Sequence, residues 1–202
     1  FYLAREAELS ALQARRAEYN ALQRETRLTI NHFIVAAVGR ALQAVPAVNR
    51  VWTDGGIHEL AASDVGVAVD TPRGLLAPVL RDVGNQSLPE LARLANAAAE
   101  RARAGRLGAD EMAGGAITVS NAGMHDVSWM TSIINPGQAM ILGVGSVREL
   151  FRPDAEGRPA LRREIGLVLS ADHRVLDGVA ALAFLRAVVD ALQRPLALLV
   201  DA

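Results

Sequence analysis

The chain has 202 residues, 21 basic against 22 acidic, for a formal charge of -1, so no basic excess exists to hold nucleic-acid phosphates. With 51% hydrophobic residues it reads as one ordinary domain over residues 1–202, burying roughly 70% of its unfolded surface without a staple. Every basic residue is Arg and Cys is absent, which excludes lysine Schiff bases, disulfides, thiolate metal sites and cysteine nucleophiles; a thiol in the chemistry must come from substrate or carrier.

The opening Phe1-Tyr2-Leu3-Ala4-Arg5-Glu6 carries no basic region followed by an apolar stretch and does not read as a signal peptide, and the missing Met reads as a fragment. Residues 6–25 show Leu9, Leu12 and Tyr19 at helical spacing among Glu, Gln and Arg, an expected amphipathic helix. Asn31 to Ala44 is a second helix, apolar around most of its circumference and followed by Pro46. Val48 to Trp52 and Ile57 to Leu60 flank Thr53-Asp54-Gly55-Gly56, a hairpin signal. Val65 to Val69 and Leu75 to Leu80 are strand-like runs around Thr71-Pro72-Arg73-Gly74.

Ser87-Leu88-Pro89-Glu90 predicts a helix start with N-cap, proline and capping-box Glu, running to about Arg103. Ala116 to Ser120, Ala139 to Val144 and Ile165 to Ser170 are expected strands, and Gly178 to Leu192 a last helix. Within the uncharged run Val127 to Val147, Asn135-Pro136-Gly137-Gln138 supplies turn chemistry, so two buried strands are expected there and no membrane span.

Two clusters stand out chemically. Ser170-Ala171-Asp172-His173-Arg174-Val175-Leu176-Asp177-Gly178 ends an apolar strand in polar residues that feed a helix. A free imidazole titrates near ~6.5, so His173 is able to accept a thiol proton near neutral pH; taken alone, a single His reads first as a structural one. Asp177 stands where an N-cap belongs as well as where it would orient the loop. The second cluster is Gly114-Gly115-Ala116-Ile117-Thr118-Val119-Ser120-Asn121-Ala122-Gly123. By composition it is a turn, and by function Ser120 would donate to an oxyanion. No Gly-x-Ser-x-Gly surrounds Ser120, and Gly143-Val144-Gly145 lacks the third glycine of a dinucleotide loop, Arg148 standing in its place. His32, His58 and His125 have no acidic or hydroxyl partner at a telling spacing. No metal-ligand pattern is recognised.

Together Thr118-Val119-Ser120-Asn121-Ala122-Gly123-Met124 and Asp172-His173-Arg174-Val175-Leu176-Asp177-Gly178 resemble the catalytic cores of dihydrolipoyl acyltransferases of 2-oxo acid dehydrogenase complexes. Ile133 to Ala139, Val65 to Leu75 and Glu111 to Gly115 are similar to further family signatures, in the family's order. The resemblance implies a chloramphenicol-acetyltransferase-like two-layer α/β sandwich, a mixed β-sheet flanked by helices, assembled as a homotrimer with each active site between two subunits. It implies that His173 is the general base, that Ser120 of the neighbouring subunit binds the oxyanion, and that Asp177 holds the loop.

Coenzyme A and a lipoyl group on a separate domain would be the substrates, with no metal. By block alignment Thr29, Asp70, Ser120, Asn121, Gly145 and Val147 would contact coenzyme A, with Arg16 a further phosphate candidate. Acetyl is the favoured acyl group, ahead of branched-chain acyl and succinyl. Further partners implied are a 2-oxo acid decarboxylase and dihydrolipoyl dehydrogenase, held through domains outside this stretch, in a cubic or icosahedral core. The setting is a bacterial cytoplasm, with the mitochondrial matrix as the alternative; nucleic acid and membrane are not expected partners. A non-catalytic core subunit and a free-standing acetyltransferase are the competing readings. His125-Asp126 after Met124 departs from the family pattern, as does Gly137 for a common proline.

Overall fold

The computed structural model describes residues 1–22 and 26–200. In chain order the elements are β1 (Tyr2–Glu8), α1 (Ser10–Leu22), α2 (Ile30–Ala44), β2 (Arg50–Thr53), β3 (Gly56–Glu59), β4 (Val65–Val67), β5 (Val69–Thr71), β6 (Gly74–Leu76), β7 (Val79–Leu80), α3 (Leu88–Arg103), β8 (Ile117–Asn121), β9 (Met140–Pro153), β10 (Pro159–Ala171), α4 (Gly178–Gln193) and α5 (Leu196–Val200). Six strands form one sheet in the order β1-β10-β9-β8-β4-β7. The β4-β8 and β8-β9 pairs are parallel and the rest antiparallel, so the expected mixed sheet is present.

Period-two alternation gives this sheet two different faces. Ile117, Val119, Met140, Leu142, Val144, Leu167 and Leu169 point into the core with α2 and α4. There α2 is buried nearly all round, as its apolar composition predicts, and Phe33 and Phe184 are fully buried, each burial worth about 1.5–3 kcal/mol by transfer. Ser87 caps α3 by accepting from the Glu90 N–H, but the expected capping box is half-made: the Glu90 carboxylate turns instead to Arg93.

The opposite face carries Thr118, Ser120, Gly143, Gly145, Gly166 and Ser170, and the chain from Val127 to Ser132 lies across it. A Cβ at Gly143 would collide with the Met130 carbonyl oxygen, and one at Gly145 or Gly166 with that of Ser128. The Gly143-Val144-Gly145 pattern is therefore explained by close backbone approach. Ser146 N–H donates to the Val127 carbonyl at 2.7 Å and Ser170 Oγ to the Ser132 carbonyl at 2.8 Å, pinning the segment in place. Gly143→Ala is expected to destabilise by about 1–3 kcal/mol through this overpacking. It would appear as a lower urea midpoint with unchanged slope, and an unmoved midpoint would show that the crossing segment yields freely.

Several expectations are corrected. Residues 2–8 are a strand and only Ser10–Leu22 are helical; the end of the expected first helix, 23–25, lies outside the described residues. Val65–Val69 and Leu75–Leu80 each divide into two short strands, because β5 and β6 leave the main sheet to form their own hairpin. Val127 to Gln138 forms no strand; its polar backbone bonds to the sheet and to its own turns instead. Strands β9 and β10 run far past their apolar stretches, as a hairpin carrying cross-strand Arg152–Glu164 and Arg163–Glu149 pairs. No helix among the described residues is long and apolar enough to cross a membrane.

Candidate active site

Ser120 is the fourth residue of β8, half-buried on the sheet face away from the helices. It lines a cavity of about 710 Å³ with Thr118, Ala68, Leu75, Ile133 and Asn135. Thr118 Oγ1 donates to Gln138 Oε1 at 2.6 Å and accepts from Asn135 Nδ2 at 3.0 Å, while Gln138 Nε2 donates to the Gly114 carbonyl at 3.0 Å. These bonds fasten the Asn135–Gln138 turn over the strand, so the signature residues of that turn form one wall of the Ser120 cavity. The Ser120 hydroxyl itself has no hydrogen-bond partner among the described residues, as suits a donor reserved for a ligand.

Asn121 directs its side chain the other way. Its Nδ2 donates to Asn31 Oδ1 at 2.9 Å and its Oδ1 accepts from the Gly123 N–H at 2.8 Å, joining the end of β8 to the start of α2. Two residues before Asn31, exposed Thr29 caps α2: its hydroxyl accepts from the His32 N–H, and His32 Nδ1 accepts from the Thr29 N–H at 3.2 Å. This hydroxyl partner for His32 was missed in the sequence, where His does not occupy the usual Glu or Gln place of a capping box. Burial holds the His32 pKa below the ordinary histidine value, against a hydrogen bond that the ring donates to Asn96, in keeping with a ring nitrogen free to accept from Thr29.

Arg16 stands between two surface cavities, of about 600 and 630 Å³. The first also holds Thr29 and Arg27, the second Val147 and Arg163. Arg16 Nε is buried with no hydrogen-bond partner among the described residues, a donor that a phosphate oxygen would satisfy. Thr29, Asn121, Gly145, Val147 and Arg16 thus gather around the C-terminal end of β8 and the adjoining part of β9. Asp70 is exposed in the β5-β6 hairpin opposite Leu75, a cavity-lining residue.

His173 and Asp177 are elsewhere. They follow β10 at the end of the sheet where β8 begins, since Ala171 pairs with Met140 and Met140 with Ile117, whereas Ser120 is in register with Gly143 and Val168. His173 is therefore two strands across and about five residues along from Ser120, about 15 Å or more at ordinary strand spacings. Within one chain these two side chains do not share a reacting atom. His173 is exposed, its ring 4.7 Å from that of Phe1 and tilted by 56°. Asp177 caps α4, accepting from the Ala180 N–H at 2.8 Å, as its position predicted.

Asp172, just before His173, is gripped by Arg174, whose Nε and Nη2 donate to the carboxylate at 3.1 and 2.7 Å and whose own N–H donates at 3.0 Å. The guanidinium holds the Asp172 carboxyl below the usual carboxylate range.

The six-stranded mixed sheet with its helices on one face has a chloramphenicol-acetyltransferase-like fold: a chloramphenicol acetyltransferase superposes with a TM-score of 0.61 over 95% of this chain and 87% of that chain at 16% identity. More specifically, residues 1–200 match the family model described as 2-oxoacid dehydrogenases acyltransferase (catalytic domain), and this chain belongs to that family. The acetyltransferase component of the pyruvate dehydrogenase complex of Caenorhabditis elegans is 38% identical over 96% of this chain and 40% of its own length; that of Rickettsia conorii is 33% identical over 99% and 49%. The chain thus spans less than half the length of these curated relatives. A dihydrolipoamide acetyltransferase of Azotobacter vinelandii, solved to examine the catalytic roles of a serine, a histidine and an asparagine, superposes with a TM-score of 0.92 at 32% identity, covering 99% of this chain and 84% of that one.

Proposed function

We propose that this chain transfers an acetyl group between the dihydrolipoyl thiol of a lipoyl domain and coenzyme A, at sites shared between protomers of a homotrimer. The observation that carries the reading is the separation of Ser120 and His173 to opposite ends of one sheet. A heterologous contact that closes into a ring brings one end against the other without moving either. Both ends expose apolar surface that such a contact would cover: Ile133, 92% exposed, beside Ser120, and Val179, 81% exposed, beside Asp177. In the Azotobacter enzyme the histidine and the asparagine stand four residues apart, the spacing of His173 and Asp177.

In this mechanism coenzyme A lies along the Arg16, Thr29 and Asn121 side of one protomer, with its thiol near Ser120. His173 of the neighbouring protomer takes the thiol proton, and the thiolate forms a bond to the carbonyl carbon of the acyl-lipoyl thioester. Ser120 donates to the oxyanion of the tetrahedral intermediate. The bond to the lipoyl sulfur then breaks and the imidazolium returns its proton to that sulfur, so no acyl-enzyme forms. Trimers would build a larger core, as in the cubic pyruvate dehydrogenase core that superposes with a TM-score of 0.92. A 2-oxo acid decarboxylase and dihydrolipoyl dehydrogenase would be the partner enzymes.

The test supplies the purified protein with dihydrolipoamide and a panel of acetyl-, isobutyryl- and succinyl-CoA. Transfer from acetyl-CoA is expected to exceed the others about tenfold in kcat/KM, by a protein whose mass in solution is at least that of three chains. A well-folded trimer that moves none of these groups would end the acyltransferase reading.

A further inference from the structure

We propose that Trp52 is a positioning residue for the loop that carries His173, acting through Arg174 and Asp172. The proposal rests on the reading of His173 as the base but concerns residues that the reaction scheme leaves unused. Trp52 lies on the β2-β3 hairpin, which shares no ladder with the main sheet. Isolated two-stranded hairpins are marginal, and this one is anchored. Val51 is buried in the core, and Asn49 Nδ2 donates at 2.9 Å to the carbonyls of both Leu60 and Ala62, closing the hairpin's base. Alternation from Val51 turns Trp52 outward, where its ring lies 5.4 Å from the Arg174 guanidinium carbon.

Arg174 in turn holds Asp172, and Asp172 is where the loop is fixed: its N–H donates to the Ala139 carbonyl at 2.9 Å, and its carbonyl accepts from the N–H groups of Val175 and Leu176 at 3.1 and 3.0 Å. His173 is suspended between these two side chains. The guanidinium is 64% exposed on its side chain, so without an aromatic face beneath it the bond to Asp172 would be one of many rotamers open to a long side chain in water. The indole restricts it to the plane that reaches the carboxylate. A shift of about 1 Å in a base at this distance from the core is enough to lower turnover.

Trp52→Leu keeps an apolar side chain but removes the π face; Trp52→Tyr keeps the face. With acetyl-CoA and dihydrolipoamide, Trp52→Leu is expected to lower kcat five- to tenfold with KM for acetyl-CoA within twofold, and Trp52→Tyr to stay within twofold of wild type. Trp52→Leu added to Arg174→Ala should cost no further rate. Equal rates for the Leu and Tyr variants, or losses at Trp52 and Arg174 that multiply, would overturn the proposal. Crystal structures of wild type and Trp52→Leu read the same coupling without substrate: a displaced Asp172–Asp177 loop in the variant supports it, and an unchanged loop defeats it. An inert wild-type protein would count against the acyl-transfer reading alone, since the loop comparison does not depend on turnover.

Discussion

His173→Ala should lower kcat for acetyl transfer by about 10²–10⁴-fold, the range of a positioned general base, while leaving the fold intact. The side chain is exposed, and the loop around it is held by the Asp172 and Asp177 bonds, which involve neither imidazole nitrogen. Stability is therefore expected to change by no more than the few tenths of a kcal/mol usual for surface positions. Rates and urea midpoints measured on the same preparations separate the two effects. Wild-type turnover by the variant would remove His173 from the mechanism, and an equal fall in stability and rate would make it structural.

Ser120→Ala is expected to reduce kcat by about 10²–10³-fold, the usual loss when one oxyanion donor is deleted, with KM for acetyl-CoA little changed because the hydroxyl is called upon in the transition state. The free hydroxyl and the cavity in front of it favour this reading over a packing role. The two variants together test the shared site. Co-expressed in equal amounts, chains lacking His173 and chains lacking Ser120 would assemble mixed rings in which about a quarter of the sites pair an intact serine with an intact histidine. About a quarter of wild-type activity should return. Sites formed within one chain would give none, because every chain in the mixture lacks one of the two groups.

Much of the helical layer was legible because its signals are local. The all-round apolar pattern of α2, the Ser87-Leu88-Pro89 start of α3 and the Asp177 cap of α4 each need only their own neighbours. Strand β1 was not legible. Of Tyr2–Glu8 only Ala7 is buried, and the segment is a strand because β10 offers it an edge to pair with. The distal halves of β9 and β10 were hidden for the same reason: their charged residues read as loop until the opposite strand supplies the partner charge.

The site divides along the same line. Residue type and position made His173, Ser120 and Asp177 candidates, each also readable as a structural group, and it was the resemblance of their two clusters to acyltransferase signatures that implied a role for each. The capping pair of Thr29 with His32, the Arg16 Nε without a partner among the described residues and the contact of Trp52 with Arg174 were silent in the sequence; each depends on the angle at which elements meet. The amino-acid sequence by itself determined which groups are present and which short segments are helical, since both follow from covalent identity and near-neighbour sterics. Only the tertiary structure decided that Ser120 and His173 face different ends of the sheet, because strand register is set by pairing between segments far apart in the chain.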